Sequence, residues 1–476
     1  MLDDRACNVA GKFNSREIAK TLWAFATLEV KPGKRLVILL EKQACRVVEK
    51  QSTPQDIAYM LWAYRTLKIE PWPGLVAALE RRACAAAPGD FTPQEIANTL
   101  WGYAEVMKRI IGRNGRKHRK ETVLLVDAME RQVAATAGNF TRPYDIANTL
   151  WGYAKLRKLL SRAGDERPPR EGLEAFLHCR VLAVAAEYQD PQEIASTLYA
   201  FAKLGVKPEA DLLAALEARA VAAAGNFTSK AIRNMIWAYA TLGVRPGLDL
   251  VAKMEVRACA LMDQSLEKEI SNMLWAYGVL GFPPGNEFTM TICQAVCGRL
   301  LNPNSFNSRG LQQLHLFLLA AKLEGWFTVG DSSPIDDLHS RLGSRGHDLI
   351  AQSPAIRSKL QADVASCVRR LELAYEEEAI DERSGYSIDL LLAVSHSGEC
   401  CNGDAVGTPG RVAIEVDGPW HFLLPGGRQP SGNTMLKRRI LSMLGYKMVS
   451  VPHWEWYNLT VDHDQDAYLR SVLRMS

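Results

Sequence analysis

The sequence predicts a mainly α-helical protein: an α-solenoid of helical hairpins followed by a small C-terminal α/β domain. Two observations carry that reading. The segment Ile-Ala-Asn-Thr-Leu-Trp-Gly-Tyr-Ala occurs unchanged at 96–104 and 146–154, and variants of it stand at 18–26, 57–65, 194–202, 232–240 and 270–278. Further on, the helical spacing of apolar residues gives way to short β-type runs at 387–394, 411–416 and 446–451. Self-similarity at a fixed period determines architecture before any local assignment does. The anchor aromatics are Trp23, Trp62, Trp101, Trp151, Tyr199, Trp237 and Trp275, separated by 39, 39, 50, 48, 38 and 38 residues. The unit is therefore 38–39 residues long, and two units carry inserts.

Each unit opens with helix-start chemistry. In Thr92-Pro93-Gln94-Glu95 a Thr N-cap precedes a Pro at the first helical position and a Glu that can close a capping box. Residues 53–56 and 190–193 repeat the pattern. At 100° per residue, Ile96, Leu100, Trp101, Tyr103 and Ala104 fall on one apolar face, and Ile96, Leu100, Trp101 and Ala104 are assigned to packing. Stop signals follow at Gly205 and Pro208 and at Gly243 and Pro246. An alanine-rich second helix comes next, as at 211–224. Such a hairpin cannot bury its apolar face alone, and stacked neighbours supply the missing surface.

Composition narrows the function classes. The 476 residues are 47% apolar and 23% charged, as in a folded protein and unlike a disordered one. A net charge of +4 means that nucleic-acid binding has to rest on local basic surfaces. The ten cysteines form no C-x-x-C pair, so no metal site is assigned. No apolar run reaches the ~18–20 residues of a membrane span. The chain opens in a segment resembling a second helix, with no targeting peptide visible.

Three features are candidate ligand contacts. The inserts 107–120 and 155–170 hold seven and six basic residues against none and two acidic ones. Either they meet phosphates or they are solvated loops. The third motif position is Lys20, Tyr59, Asn98, Asn148, Ser196, Asn234 or Asn272, all able to hydrogen-bond once per repeat. Helical-repeat RNA binders read about one base per repeat through such side chains. The second helices add Gln43, Arg82, Gln132, Arg180, Arg219 and Arg257. The competing account gives both series to contacts between helices and with solvent.

The repeat domain is expected over 1–325, a linker and helix over 326–385, with the helix at 354–378, and the α/β module over 386–476. A helix at 434–444 and a closing helix at 465–474 complete the module. Its ordered motifs are Tyr386-Ser387-Ile388-Asp389, Glu415-Val416-Asp417-Gly418-Pro419-Trp420-His421-Phe422, Gly432-Asn433-Thr434 with Leu436-Lys437-Arg438-Arg439, and Val451-Pro452-His453-Trp454-Glu455-Trp456. The module resembles the RAP domain of organellar RNA-processing proteins, among them the FAST-kinase-domain family. The repeats resemble the octotricopeptide and heptatricopeptide arrays that accompany it. The resemblance implies RNA binding in a mitochondrion or chloroplast, with roles in transcript stability, processing, splicing or translation. In the RAP module the expected RNA contacts are Trp420 and Trp454 by stacking, with His421, Lys437, Arg438 and Arg439.

The order of Asp389, Glu415 and Lys437 on strand, strand and helix is also similar to the PD-(D/E)xK nuclease core. That likeness implies a Mg²⁺-dependent endoribonuclease with Asp389, Glu415, Asp417 and Lys437 at its centre. Asp417 stands where such enzymes carry a lysine. A third reading is a scaffold within an organellar ribosome or processing complex. No cofactor is otherwise implied.

Overall fold

The computed structural model describes residues 2–114, 119–162, 173–327, 334–353, 357–392, 411–423 and 428–474. They form a helical array followed by an α/β module, as the sequence predicts. The chain packs as two compact units, Met1–Asn226 and Phe227–Ser476, so the last hairpins belong to the same unit as the α/β module. The packing boundary thus falls inside the repeat array, not after it.

Within each unit the hairpins build two layers. The first helix of each hairpin (A) is Ser15–Thr27, Pro54–Leu67, Pro93–Asn114, Pro143–Arg162 or Pro191–Leu204 in the first unit. In the second unit it is Ser229–Leu242, Glu267–Leu280 or Ser308–Leu323. Neighbouring A helices stack on one another, and the second (B) helices, such as Lys34–Gln51, Pro73–Cys84 and Arg119–Ala135, stack likewise. Asn14 and Thr53 form complete capping boxes with Glu17 and Asp56. Gly205, Gly243 and Gly281 end their helices in the left-handed conformation.

The motif explains why A helices approach so closely. Ile96, Leu100, Tyr103 and Ala104 are at most 1% exposed. Burying such an aliphatic side chain contributes about 1.5–3 kcal/mol relative to leaving it in water. A Cβ on Gly152 would lie 2.6 Å from the Trp101 amide nitrogen, so only glycine allows this helix contact.

Two sets of tethers hold the layers. The motif tyrosine reaches the glutamate of the preceding B helix: Tyr103 donates to Glu80, Tyr153 to Glu130 at 2.6 Å and Tyr277 to Glu255 at 2.7 Å. Each B helix also reaches back to the loop that enters its own hairpin. Gln43 donates to the Phe13 carbonyl (2.9 Å), Arg82 to Ser52 (2.8 Å), Gln132 to Ala87 (2.7 Å) and Arg180 to Phe140 (2.7 Å). Arg219, Arg257 and Arg299 do the same to Tyr188 (2.8 Å), Phe227 (2.9 Å) and Met262 (3.0 Å).

The α/β module is built on a mixed sheet with strand order β1-β2-β3-β6. β1 (Tyr375–Ile380), β2 (Ser387–Leu392) and β3 (Val412–Asp417) are antiparallel neighbours. After the short hairpin of β4 (Phe422–Leu423) and β5 (Gln429–Pro430), helix Gly432–Met443 leads to β6 (Lys447–Pro452), parallel to β3. Helices Lys359–Arg370 and Asp462–Leu473 cover a core of Val364, Val368, Leu390, Ile414, Val451 and Leu469.

Two expectations are corrected. The helix expected over 354–378 ends at Arg370, and its acidic second half is strand β1, paired with β2 from Tyr375↔Leu392 to Ile380↔Ser387. A turn over 381–386 enforces that pairing: Asp381 accepts the amides of Arg383 and Ser384 and the Tyr446 hydroxyl. The stretch expected as linker also contains the helices Pro334–Leu342 and Arg345–Ala351.

Candidate nucleic-acid interface

The anchor aromatics line the A layer, and their burial increases along the chain. Trp23 is 39% exposed, Trp62, Trp101 and Trp151 are half-buried, and Tyr199, Trp237 and Trp275 are at most 8% exposed. Trp23 stacks with Tyr59 (5.8 Å between ring centroids), the Arg65 guanidinium lies 3.3 Å over Trp101, and Trp151 meets Tyr199 at 5.0 Å. Trp101 is packed under Arg65 but is less buried than Ile96, Leu100 and Ala104 of the same face. A helical wheel puts position six of the motif at the edge of the apolar stripe, and in the early repeats that edge is surface.

The A helices of the third and fourth hairpins are 22 and 20 residues long, against 14 in the fifth. Their added turns, with the next helix, enclose a cleft of about 300 Å³. Its floor holds Ala104, Trp151, Ala154 and Tyr199, and its rim holds Lys108, Lys155, Lys158 and Lys203. Lys155 pairs with Glu105 and lies 4.8 Å from the centre of the Trp151 ring; Lys203 lies 5.0 Å from that of Tyr199. Burial pushes the Lys155 ammonium down and the Glu105 pair partly restores it. Lys155 and Lys158 belong to the second insert and Lys108 to the first; Lys203 had no sequence signal beyond its place one residue past the motif. The side chains of Arg113, Arg116, Lys117, Arg119, Arg162, Arg167 and Arg170 lie outside the described residues, as do Cys400 and Cys401.

The third-position series is not uniform. Lys20 is exposed, and Tyr59, Asn98, Ser196 and Asn272 are half-buried. Asn148 and Asn234 are 8% and 5% exposed. Asn272 donates to the Lys268 carbonyl and accepts from Gln313 at 3.0 Å, which commits it to packing. The Asn148 amide nitrogen is buried with no partner among the described residues. Arg82, Arg180, Arg219 and Arg257 are the loop tethers already described, which accounts for their recurrence without a ligand.

In the module, β2 and β3 bring Asp389 and Glu415 side by side, one position beyond the Leu390↔Ile414 pair. The Val416 amide donates to Asp389 at 2.7 Å. Lys437, from helix Gly432–Met443, is ion-paired with Glu415. Arg438 is ion-paired with Asp417, which also meets His421 Nδ1 at 2.8 Å and accepts from Ser450. Burial, with Asp389 nearby, pushes Glu415 up to about 7 against the pull of Lys437. Burial also raises Asp389. Burial alone would raise Asp417 too, but His421, Ser450 and Arg438 hold it below the usual carboxylate range.

A Mg²⁺ ion needs near-octahedral oxygen ligands and keeps several waters. Glu415 and Asp417 are 2% and 0% exposed, and the ammonium of Lys437 already stands at Glu415 where a cation would sit. As arranged, these residues form an ion-pair network and do not fit a hydrated ion. Among the described residues the one cluster with metal-ligand spacing is His178, Glu209 and Asp211, in the other unit.

Arg439 turns away from the sheet. It donates to the carbonyls of Gly278 and of Val279 (2.9 Å) at the end of A helix Glu267–Leu280, and pairs with Glu324 at 2.9 Å. Gly432 is pressed against the Ala240 carbonyl, and Gln429 donates to Leu242. The helix that carries Lys437, Arg438 and Arg439 thus seats the module on the last hairpins. Trp420 is 61% exposed, while Trp454 is half-buried edge-on to Phe422 at 4.4 Å.

Comparison with known proteins agrees with this geometry. Residues 414–472, from β3 to the closing helix, match the RAP domain. The C-terminal module is therefore a RAP domain, a family of RNA-binding domains in organellar proteins. A RAP domain-containing protein, chloroplastic, from Oryza sativa subsp. japonica is 43% identical over 70 residues. That match covers 15% of this chain and 11% of the relative. Among the described residues no helix is long and apolar enough to cross a membrane.

Proposed function

We propose that this protein is a sequence-selective RNA-binding factor of organellar RNA metabolism. On this reading the A-helix layer of the first unit contacts single-stranded RNA, and the RAP module adds stacking and polar contacts through Trp420 and His421. The match of residues 414–472 to the RAP domain carries the reading. The chloroplastic relative favours an organellar address. The exposed and half-buried aromatics of the A layer and the lysine-rimmed cleft supply the base-stacking and phosphate-neutralising groups that single-strand binding requires. The role follows as transcript stability, processing, splicing or translation.

Crosslinking in organelles, followed by sequencing of bound RNA, tests this directly. The expected result is a small set of transcripts, and binding in vitro that weakens with salt by about 0.7 in log–log slope per phosphate contact. Recovery of no RNA, or a flat salt dependence, would overturn it in favour of a protein scaffold.

The adjacency of Asp389 and Glu415 supports one further reading, a Mg²⁺-dependent endoribonuclease, against which stand their burial and the Lys437 pair. Cleavage of RNA by the wild type that disappears in Asp389→Ala/Glu415→Ala would establish it; cleavage surviving that change arises elsewhere.

A further inference from the structure

We propose that His178, Glu209 and Asp211 form a site for a zinc-like divalent metal ion that joins the fourth and fifth hairpins. All three residues belong to the first unit. His178 stands on B helix Leu173–Ala183, and Glu209 and Asp211 open the next B helix, Ala210–Ala222. One ligand atom from each lies within 4.8 Å of the other two.

The repeat pattern singles out this junction. The tether glutamate stands two residues before the loop-binding Gln or Arg of its B helix: Glu41, Glu80, Glu130, Glu217 and Glu255 precede Gln43, Arg82, Gln132, Arg219 and Arg257. Before Arg180 the residue is His178. The motif tyrosine of the following A helix is also replaced, by Phe201, which is 1% exposed and has no hydroxyl to donate. Both halves of the recurring Tyr–Glu bond are thus exchanged at one junction, and the histidine meets the neighbouring B helix instead. Asp211 is also placed unlike its counterpart one repeat on. Asp249 pairs at 3.0 Å with Lys253, a turn later in its own helix, whereas the residue a turn after Asp211 is Ala215.

Geometry selects the ligand. His178 Nε2 lies 3.5 Å from Asp211 Oδ1, longer than the ~2.7–3.2 Å of an N–H···O hydrogen bond. A tetrahedral zinc ion with arms of about 2.0–2.1 Å holds its ligand atoms about 3.4 Å apart. An octahedral magnesium ion would want them about 3.0 Å apart, and it takes oxygen in preference to imidazole. The Leu212 amide donates to the same Asp211 oxygen at 2.7 Å and so fixes its direction, as hydrogen bonds to metal-ligating groups do. Glu209 is exposed and reaches the ion by rotation about its side-chain bonds. Three protein ligands leave the fourth tetrahedral position to water.

The test titrates zinc into the full chain by calorimetry and follows thermal unfolding. The wild type should bind one ion with micromolar affinity and unfold at a higher temperature with zinc present, as linkage requires. The same concentration of Mg²⁺ should do neither. Glu209→Gln and Asp211→Asn change exposed side chains and are expected to fold. Each should weaken zinc binding about a hundred-fold, the upper range for losing a group that merely supports a metal ligand. Cys179→Ser removes an exposed thiol beside His178 that has its own affinity for zinc, and should leave binding unchanged. No zinc binding by the wild type, or binding that both carboxylate variants retain in full, overturns the site. Loss of binding in Cys179→Ser also overturns it, in favour of a thiolate site.

Discussion

The two units use the same part of the repeat in opposite ways. In the first, the stretches of successive A helices that follow the motif are a surface: they carry Lys108, Lys155, Lys158 and Lys203 around the half-buried Trp151. In the second, the corresponding turns are a seat. Helix Gly432–Met443 packs across Ser229–Leu242 and Glu267–Leu280, and Arg439 supplies the cation for the carbonyls of Gly278 and Val279. Helix ends present unsatisfied carbonyls and a negative dipole, which a cation at the last turn stabilises. In the first unit Trp62, Trp101 and Trp151 stay half-buried. The other meets the carbonyls with a docked domain, and its aromatics Trp237 and Trp275 are 7% and 4% exposed. The basic run Lys437–Arg439 is therefore committed to partners within the second unit.

The seat is most sensitive at Gly432. A Cβ there would lie 2.1 Å from the Ala240 carbonyl oxygen, a backbone atom that cannot give way. Gly432→Ala is expected to cost about 3 kcal/mol, in the upper range of overpacking, and to shift tryptophan fluorescence to the red as the seat opens. Unchanged stability and spectrum would mean that the module is not seated as described. Arg439→Ala should act in the same direction by about 2 kcal/mol, because it strips Glu324 and two carbonyls of a charged partner. Denaturant melts of the full chain should show the loss in the transition that Gly432→Ala also moves.

Arg219→Ala sharpens the distinction between tethers and ligand contacts. Loss of the bond to the Tyr188 carbonyl should cost about 1 kcal/mol in stability and leave the salt slope of RNA binding untouched. A shallower slope would return the arginine series to the interface. The smallest effect concerns pH. Burial pushes Glu80 up to about 7, against the hydrogen bond from Tyr103. The folded state then holds a proton that the unfolded chain, titrating near 4.5, has released. Stability from this group is present below about 4.5 and is lost as pH rises towards 7. Glu80→Gln should flatten that decline in the first unit alone, since Glu415, also raised to about 7, lies in the second. A decline in the first unit that persists in the variant would assign it to another buried glutamate such as Glu41.

Much of the fold was legible because its signals are local. The capping residues around Thr53 and Thr92 and the terminal glycines at 205 and 243 act within one helical turn. What was illegible depends on residues distant in sequence. Tyr375–Ile380 reads as helix from its glutamates and becomes strand because β2 pairs with it. Arg82 and Arg219 could face solvent on a wheel, yet they fold back to loops 30 and 31 residues earlier. Lys437, Arg438 and Arg439 form one basic run, but consecutive helical positions point in different directions, to Glu415, to Asp417 and to the Gly278 carbonyl. The candidate site suffered most. Trp151 repeats so faithfully that it reads as packing, and its neighbour Lys203 comes from another hairpin.

The tethers also bear on how such a chain can grow. Tyr103–Glu80, Tyr153–Glu130 and Tyr277–Glu255 each join adjacent hairpins, and each arginine bond closes only its own hairpin's entrance. The tyrosine bonds keep sequence separations of 23, 23 and 22 because no insert lies within them. The glutamine and arginine bonds of the third and fourth hairpins stretch to separations of 45 and 40 and still close. A segment lengthened between the two helices of one hairpin therefore leaves the next hairpin in register. Evolution could enlarge a single hairpin and add chemistry at its tip while the rest of the array carried the fold unchanged.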